Sequence, residues 1–433
     1  MSPIASMSTA EQTAFAERAR ADHAAFCARR LRIDMTRGKP GPEQLDLSSA
    51  MLTLPGNRDY FQADGGDTRN YFGSLQGVPE ARALFAGMMG APPDRVLIGN
   101  NASLSLMHDC IVFALLKGVP GGSRPWTADQ PITFLCPSPG YDRHFAICEE
   151  YGIRMIPVAM TGEGPDMDEV ERLVLDPAVR GMWCVPKYSN PTGETYAPDT
   201  VARIARMRSG AADFRVFWDN AYAVHHLTDD AIELANILEL CEQAGHPDRA
   251  FVFSSTSKMT FAGSGLGLFA SSARNMAWFT ACIGKRTIGP DKLNQLRHVR
   301  FLKDEAGIRR LMAAHRALLA PKFTAIDEVF EQHLRCAGVA SWSKPLGGYF
   351  VSVDTVDGCA RRVVELAGEA GIAMVPAGQT WPYRKDPKDT NLRIAPSFPS
   401  VQEVTSGAEG IAISILLAAT ERLLHERQEH APP

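Results

Sequence analysis

The sequence lacks the features that mark exported, membrane-spanning and nucleic-acid-binding proteins. Its nine cysteines are scattered singly and form no C-x-x-C pair, which is typical of reduced thiols in a cytosol. Its longest apolar runs, 110–116 and 411–419, are shorter than the roughly 20 residues that cross a bilayer. The formal net charge of -4 offers no broad cationic field to nucleic acid phosphates. We therefore expect a cytoplasmic protein whose partners are small molecules, neither nucleic acid nor membrane.

Between about residues 90 and 280, short β-branched or aromatic runs alternate with helix-like stretches. The runs are 95–98, 131–136, 154–158, 181–185, 214–218 and 250–253. This alternation predicts an α/β domain in which helices cover both faces of a largely parallel sheet. After about residue 305 the pattern changes to a long helical stretch and strand-like runs at 347–353 and 391–396, which predicts a smaller α+β domain.

The predicted organisation has three parts. Residues 1–60 form an N-terminal segment that packs with the small domain, residues 61–305 form the large domain, and residues 306–433 form the small C-terminal domain. The first segment is assigned to the small domain because residues 36–47 are rich in Gly and Pro and show no sheet pattern. With 45% hydrophobic residues, the chain can fill both cores.

Polar clusters follow five of the predicted strands directly. They are Gly99–Ser103, Pro137–Tyr141, Pro186–Asn190, Asp219–Tyr222 and Ser254–Lys258. In open α/β sheets, ligands bind outside the carboxyl ends of the strands. Five clusters at equivalent positions therefore predict one composite site.

Two of these residues, Lys258 and Asp219, carry most of the chemical information. Lys258 lies in a Ser/Thr-rich turn before the glycine-rich stretch 263–267, where an amine can form an imine with an aldehyde and hydroxyls can bind a phosphate. Asp219 ends a buried strand and needs a cationic or hydrogen-bonding partner, such as a protonated pyridine nitrogen. Taken alone, Lys258 would be interpreted as a surface lysine, and Asp219 could equally cap the helix that follows. Together they favour an aldehyde cofactor that acts as an electron sink.

The other clusters supply groups that such a cofactor requires. Tyr222 and Asn190 can hydrogen-bond a phenolate oxygen, and Tyr141 can lay its ring against the pyridine face. The alternatives for these three are a core tyrosine, an ordinary N-P-T-G turn and a buried aromatic.

Two anion sites are also predicted. The run Ala102-Ser103-Leu104 opens a helix, whose free N–H groups bind phosphate, although a simple N-cap by Ser103 competes with this interpretation. Arg393 lies in a strand-like run, and its planar fork suits a substrate α-carboxylate. A structural ion pair is the alternative for Arg393.

The order of these motifs resembles the fold-type I pyridoxal-phosphate aminotransferases of classes I and II, over roughly residues 35–425. The matching positions are Tyr71, Ala102-Ser103-Leu104, Tyr141, Asn190–Gly193, Asp219-x-Ala-Tyr222, Ser255-x-Ser-Lys258 and Arg393. Further segments, Thr36–Pro40, Asn70–Gly73, Ser255–Gly263 and Ile288–Arg297, look most like the bacterial aspartate aminotransferase subgroup Ic. The resemblance implies a three-layer, aminotransferase-like large domain and the cofactor pyridoxal 5'-phosphate, with no metal.

The resemblance also implies a role for each residue. Lys258 would be the Schiff-base lysine and proton shuttle, and Asp219 would pair with the pyridine nitrogen. The phosphate would be bound by Ala102, Ser103, Leu104, Ser255 and Ser257, and by Tyr71 from the neighbouring subunit of a homodimer. The phenolate oxygen would contact Asn190 and Tyr222, the ring would stack on Tyr141, the α-carboxylate would bind Arg393, and Gly38 would line the substrate pocket.

One position departs from the family pattern. Many members have an arginine eight residues after the lysine to pair with the phosphate, whereas this chain has Leu266. The phosphate would then depend on hydroxyls, backbone N–H groups or a cation elsewhere. A further cation is needed for the side-chain carboxylate of aspartate, and the candidates are Arg37, Lys39, Arg143, Lys285 and Lys292.

The resulting prediction is a ping-pong transaminase, with L-aspartate and 2-oxoglutarate as the expected substrates. The alternatives are an aromatic, kynurenine or 2-aminoadipate aminotransferase, and a lyase that uses the same cofactor. A non-catalytic regulator with a winged-helix module is not expected, because the roughly 35 residues before Thr36 are too few for one.

Overall fold

The structure is a computed structural model that describes residues 3–71, 73–129 and 131–429. Contacts divide the chain into two compact units. The larger unit contains residues 42–189 and 194–316, and the smaller contains the residues up to 41, residues 190–193 and the residues from 317 onwards. The three-part division at residues 60 and 305 stays a prediction.

The strands and α-helices of the described residues are numbered in chain order. The strands are β1 (Ile33–Asp34), β2 (Val96–Ile98), β3 (Thr133–Ser138), β4 (Arg154–Ala159), β5 (Val179–Cys184), β6 (Arg215–Asp219), β7 (Ala250–Ser255), β8 (Gly267–Ala270), β9 (Ala340–Trp342), β10 (Val351–Thr355), β11 (Ile372–Ala373) and β12 (Asn391–Ile394). The helices are α1 (Thr9–Cys27), α2 (Pro42–Asp46), α3 (Pro79–Met89), α4 (Ser103–Lys117), α5 (Asp142–Glu150), α6 (Met167–Leu173), α7 (Pro198–Arg206), α8 (Ile237–Gln243), α9 (Ala273–Ile283), α10 (Lys292–Leu302), α11 (Glu305–His333), α12 (Ala360–Glu369) and α13 (Val401–Glu429).

The larger unit is built on a sheet of strand order β2-β8-β7-β6-β5-β3-β4. Strands β3 to β7 pair in parallel, whereas β8 runs antiparallel to both of its neighbours. Successive side chains enter cores on opposite faces, as Phe217 and Trp218 of β6 show. The predicted mixed α/β fold with a mostly parallel sheet is confirmed.

The smaller unit combines long helices with short strands. Helix α1 packs along α13, which also contacts α12. Strands β12, β10 and β9 form an antiparallel sheet, and β1 pairs with β11 in parallel. In the described residues, no helix has the length and apolar character needed to cross a bilayer.

Candidate active site

Lys258 lies in the turn that directly follows β7, and its side chain is partly buried. Its Nζ atom is 4.9 Å from the centre of the Tyr222 ring. Burial lowers the pKa of the Lys258 ammonium, and the negative charge of Asp219 opposes this shift without cancelling it. The amine therefore loses its proton more easily than a solvated lysine does, as a nucleophile requires.

Asp219 is the buried last residue of β6. Its Oδ2 atom is 3.1 Å from Nε2 of His144, while its Oδ1 atom is buried and has no hydrogen-bond partner among the described residues. The residues that follow form turns instead of an α-helix, so Asp219 is not a helix cap. A buried acceptor without a donor is costly, and Oδ1 is therefore ready for a donor on a ligand.

His144 completes this cluster and was not predicted from the sequence. Its ring stacks on Trp183, with centres 4.2 Å apart and an interplanar angle of 9°. The Tyr141 ring meets it edge-on at 4.9 Å. The only signal in the sequence was the spacing of one helical turn from Tyr141, because a lone histidine in a helix is most simply interpreted as a core residue.

The N-terminus of α4 lies next to β8. Ala102 precedes the helix with φ 73° and caps it with no side-chain oxygen, and Ser103 is the first helical residue, so the alternative of a simple N-cap by Ser103 does not hold. A Cβ atom on Gly267 would lie 2.7 Å from the Ala102 carbonyl oxygen and 3.1 Å from the Ser103 nitrogen. Ser255 pairs with Gly267 across the sheet. The glycine thus brings Ser255 close to the start of the helix, where free N–H groups attract anions.

Ser257 joins the same region through Gly265. A Cβ atom on Gly265 would lie 3.1 Å from Ser257 Oγ. Between the two glycines, the Leu266 side chain is buried in the hydrophobic core, and its N–H group donates to Thr256 Oγ1 over 2.9 Å. Side-chain alternation thus directs position 266 into the core, so this residue contributes no polar group to an anion site.

Two buried histidines hold the turn that carries Lys258. His298 Nδ1 lies 2.7 Å from the Asn294 carbonyl oxygen, so Nδ1 carries the proton and Nε2 is an acceptor that faces the hydroxyls of Thr256 and Thr260, at 3.1 and 3.0 Å. His315 has the opposite tautomer. Its Nε2–H donates to the Met259 carbonyl over 2.8 Å, while Nδ1 accepts from the Gln44 amide over 3.0 Å.

Protonation of His298 is expected to destabilise the fold. Burial lowers its pKa to about 4, from a usual value of 6.5. Between these two pH values the unfolded chain takes up a proton that the folded chain does not, so the free energy of unfolding falls as the pH falls from 6.5 to 4. This residue accounts for about 3 kcal/mol of that fall.

Urea unfolding across this pH range measures the effect. The variant His298→Gln should show a smaller fall than the wild type, whereas His333→Gln, on a half-buried residue of α11, should match the wild type. Equal pH dependence in all three proteins would contradict the assignment.

The smaller unit brings together Arg393, Asn190 and Gly38. Arg393 is a buried residue of β12 whose Nη1 donates to Asn190 Oδ1 over 3.4 Å and whose Nη2 donates to the Thr36 carbonyl over 3.3 Å. Its guanidinium carbon lies 4.9 Å from the centre of the Phe350 ring. A Cβ atom on Gly38 would lie 2.5 Å from Cζ of that ring, so any larger residue there would have to displace the ring.

The remaining candidates lie in different surroundings. Three of the candidate cations are exposed: Arg37, Arg143 and Lys285. Lys39 forms a salt bridge of 3.7 Å with Asp34. Lys292 is buried, burial lowers its pKa, and it lines a surface cavity together with Tyr71, which is 80% exposed.

Comparisons with known proteins identify the family of this chain. The model of the aspartate amino-transferase family matches residues 7–427. An aspartate aminotransferase of Corynebacterium glutamicum is 48% identical over 394 residues, which are 91% of this chain and 91% of the relative. The crystal structure of an aspartate transaminase from Corynebacterium glutamicum superimposes with a TM-score of 0.95 at 46% identity, covering 97% of this chain and 99% of the other.

A more distant structure shows the same fold. It is the α-aminoadipate aminotransferase of Thermus thermophilus complexed with N-(5'-phosphopyridoxyl)-L-leucine, with a TM-score of 0.73 at 20% identity, covering 92% and 95% of the two chains. The present chain belongs to the aspartate amino-transferase family and is a transaminase.

Proposed function

We propose that this transaminase uses pyridoxal 5'-phosphate and transfers the amino group of L-aspartate to 2-oxoglutarate by a ping-pong mechanism. The observation that carries the proposal is the pair of Lys258, an amine whose pKa burial lowers, and Asp219, a buried carboxylate whose Oδ1 atom lacks a donor. The name of the relative at 48% identity supports aspartate as the donor.

The polar groups of the larger unit fit this cofactor. Asp219 Oδ1 would accept a hydrogen bond from a protonated pyridine nitrogen. Ser255, Ser257 and the N-terminus of α4, formed by residues 102–104, would hold the phosphate. When bound, pyridoxal phosphate supplies an electron sink for the pair released from the substrate Cα–H bond.

The other residues orient the reactants. Tyr222 and Asn190 would donate to the phenolate oxygen, and Tyr141 would pack on the ring. Lys258 Nζ, deprotonated at lower pH than an ordinary lysine, would take the proton from the substrate Cα atom. Arg393 would hold the α-carboxylate and Gly38 would leave room for it.

We further propose a cytoplasmic homodimer in which Tyr71 reaches the phosphate of the neighbouring subunit. Tyr71 is 80% exposed, so its ring is available to a partner. The nine free cysteines suit a reducing compartment.

Absorption spectra of the purified protein test the proposal directly. Addition of aspartate should remove the cofactor band near the visible edge, and addition of 2-oxoglutarate should restore it. Rates with aspartate, kynurenine and phenylalanine test the donor, and the formation of a 2-oxo acid from the donor distinguishes a transaminase from a lyase. A spectrum that aspartate leaves unchanged, together with faster turnover of kynurenine or phenylalanine, would contradict aspartate as the donor.

The variant Arg393→Lys is expected to raise KM for aspartate about tenfold or more, because an ammonium cannot match both oxygens of a carboxylate as the guanidinium does. Steady-state kinetics against aspartate measure the change. The matched variant Arg361→Lys, on an exposed residue of α12, should keep the wild-type KM. If the two variants behave alike, another residue binds the α-carboxylate.

A further inference from the structure

A second cavity lies in the larger unit, away from the Lys258 cluster. It has a volume of about 920 Å³, within the range of small-molecule sites, and neither Asp219, Tyr222 nor Lys258 lines it. Trp218 and Asn220 line it instead. Because side chains alternate along β6, Trp218 faces the side of the sheet opposite to the Asp219 carboxylate, and the cavity lies on that side.

Lys187 supplies a buried positive charge to this cavity. It is 7% exposed, and its Nζ donates to the Ala223 carbonyl over 2.9 Å. In the described part of the chain, no carboxylate lies within 4.0 Å of this ammonium. Burial lowers its pKa to about 8, and the charge of Glu233, another lining residue, acts in the opposite direction. A buried ammonium without a close counter-ion is costly, so the cavity favours an anion.

Asn220 offers this cavity a hydrogen-bond acceptor. Its Oδ1 atom is buried and accepts no hydrogen bond from the described residues. Glu233 adds a carboxylate on the rim. An occupant with both an anionic group and N–H donors would therefore pair with the Lys187 ammonium and with Asn220 Oδ1, whereas a simple carboxylate would pair with the ammonium alone.

The rest of the wall is largely apolar. Leu84, Met88, Val224 and Leu234 line it and pack against the core of the larger unit, and the core residue Ile308 also lines it. Such a surface gains free energy when an aliphatic or aromatic group covers it.

We propose that this cavity is a second ligand site, which binds an α-amino acid with an apolar side chain. Its carboxylate pairs with Lys187, its ammonium donates to Asn220 Oδ1, and its side chain covers the apolar wall. The occupant is held next to the turn 219–223, because Lys187 is bonded to Ala223 and Asn220 adjoins Asp219. This site is distinct from the substrate site. If the proposed second site proved wrong, the proposed function would therefore be unaffected.

Methyl NMR of the holoenzyme, labelled at methionine methyl groups, reports on this site through the signal of Met88. Met88 lines the cavity, and the volume-conserving variant Met88→Leu assigns its signal. Titration with L-isoleucine or L-phenylalanine should move this signal in the wild type. In Lys187→Met the affinity should be about tenfold weaker or more, while Lys117→Met, on an exposed lysine, should match the wild type.

A variant that places a side chain in the cavity tests the proposal independently of whether Lys187→Met folds. Gly87 lies in α3 and lines the cavity, and a Cβ atom there meets nothing within 4 Å, so Gly87→Leu projects into the cavity without a clash at Cβ. It should abolish the titration, whereas Gly368→Leu, at an equally open helical glycine, should not. A Met88 signal that neither amino acid moves, or that moves equally in Gly87→Leu, would overturn the proposal.

The corresponding 2-oxo acids test the ammonium contact. 3-Methyl-2-oxopentanoate lacks the amino group of isoleucine, so it should bind about tenfold more weakly or worse. Equal affinity for the two compounds would overturn the assignment of an amino acid.

Discussion

Replacing Lys258 with alanine is expected to lower kcat for transamination of aspartate by at least about 10³-fold. The variant loses the amine that would remove the Cα proton, while Asp219 and the phosphate-binding groups at Ser255 and the start of α4 are unchanged. Cofactor binding should therefore persist. Rates measured with aspartate and 2-oxoglutarate under saturating added cofactor, together with the amount of cofactor that stays bound after gel filtration, separate the two effects.

A second substitution tests whether deprotonation is the property that matters. Lys258→Arg keeps a positive charge, but a guanidinium does not lose its proton near neutral pH, so this variant should be as inactive as the alanine variant. Lys385→Ala, on an exposed lysine of the smaller unit, is the matched control and should keep wild-type activity. Activity within tenfold of the wild type in Lys258→Ala would refute the role of this residue.

The parallel strands of the larger unit could be predicted because their apolar runs are short, β-branched and regularly spaced. Lys258 and Asp219 could then be placed at the same edge of the sheet, because parallel strands bring their carboxyl ends to one edge. Strand β8 was missed because it begins at Gly267, within a glycine-rich stretch that is most simply interpreted as a loop. Its glycines are explained by the close approach of Ala102 and Ser257, which only the folded chain reveals.

The histidines of the site could not be predicted from the sequence. His144 reaches Asp219 from another element 75 residues away, and His298 and His315 bind the Lys258 turn from 38 to 56 residues away. Each lies within a helix beside an arginine in the sequence, which is the pattern of an ordinary helical residue. Hydrogen bonds between distant elements depend on register and helix rotation, and neither can be derived from local spacing.

Replacing Asp219 with asparagine is expected to lower kcat about 100-fold or more, because a preorganised charge at the reacting group would be lost. The amide keeps the size of the carboxylate, and its oxygen can still accept from His144 Nε2. What it lacks is the negative charge that would keep a pyridine nitrogen protonated. Steady-state rates and the absorption spectrum after addition of aspartate measure the loss.

A control at Asp213 separates this charge effect from the general cost of altering a buried carboxylate. Asp213 is also buried in the larger unit, where it accepts from Trp126 Nε1 over 2.9 Å and pairs with Arg180, away from the site residues. Asp213→Asn should lower Tm and leave kcat unchanged, whereas Asp219→Asn should lower kcat at a Tm near that of the wild type. Wild-type kcat in Asp219→Asn would mean that its open Oδ1 atom serves no cofactor, and the proposed function would fail with it.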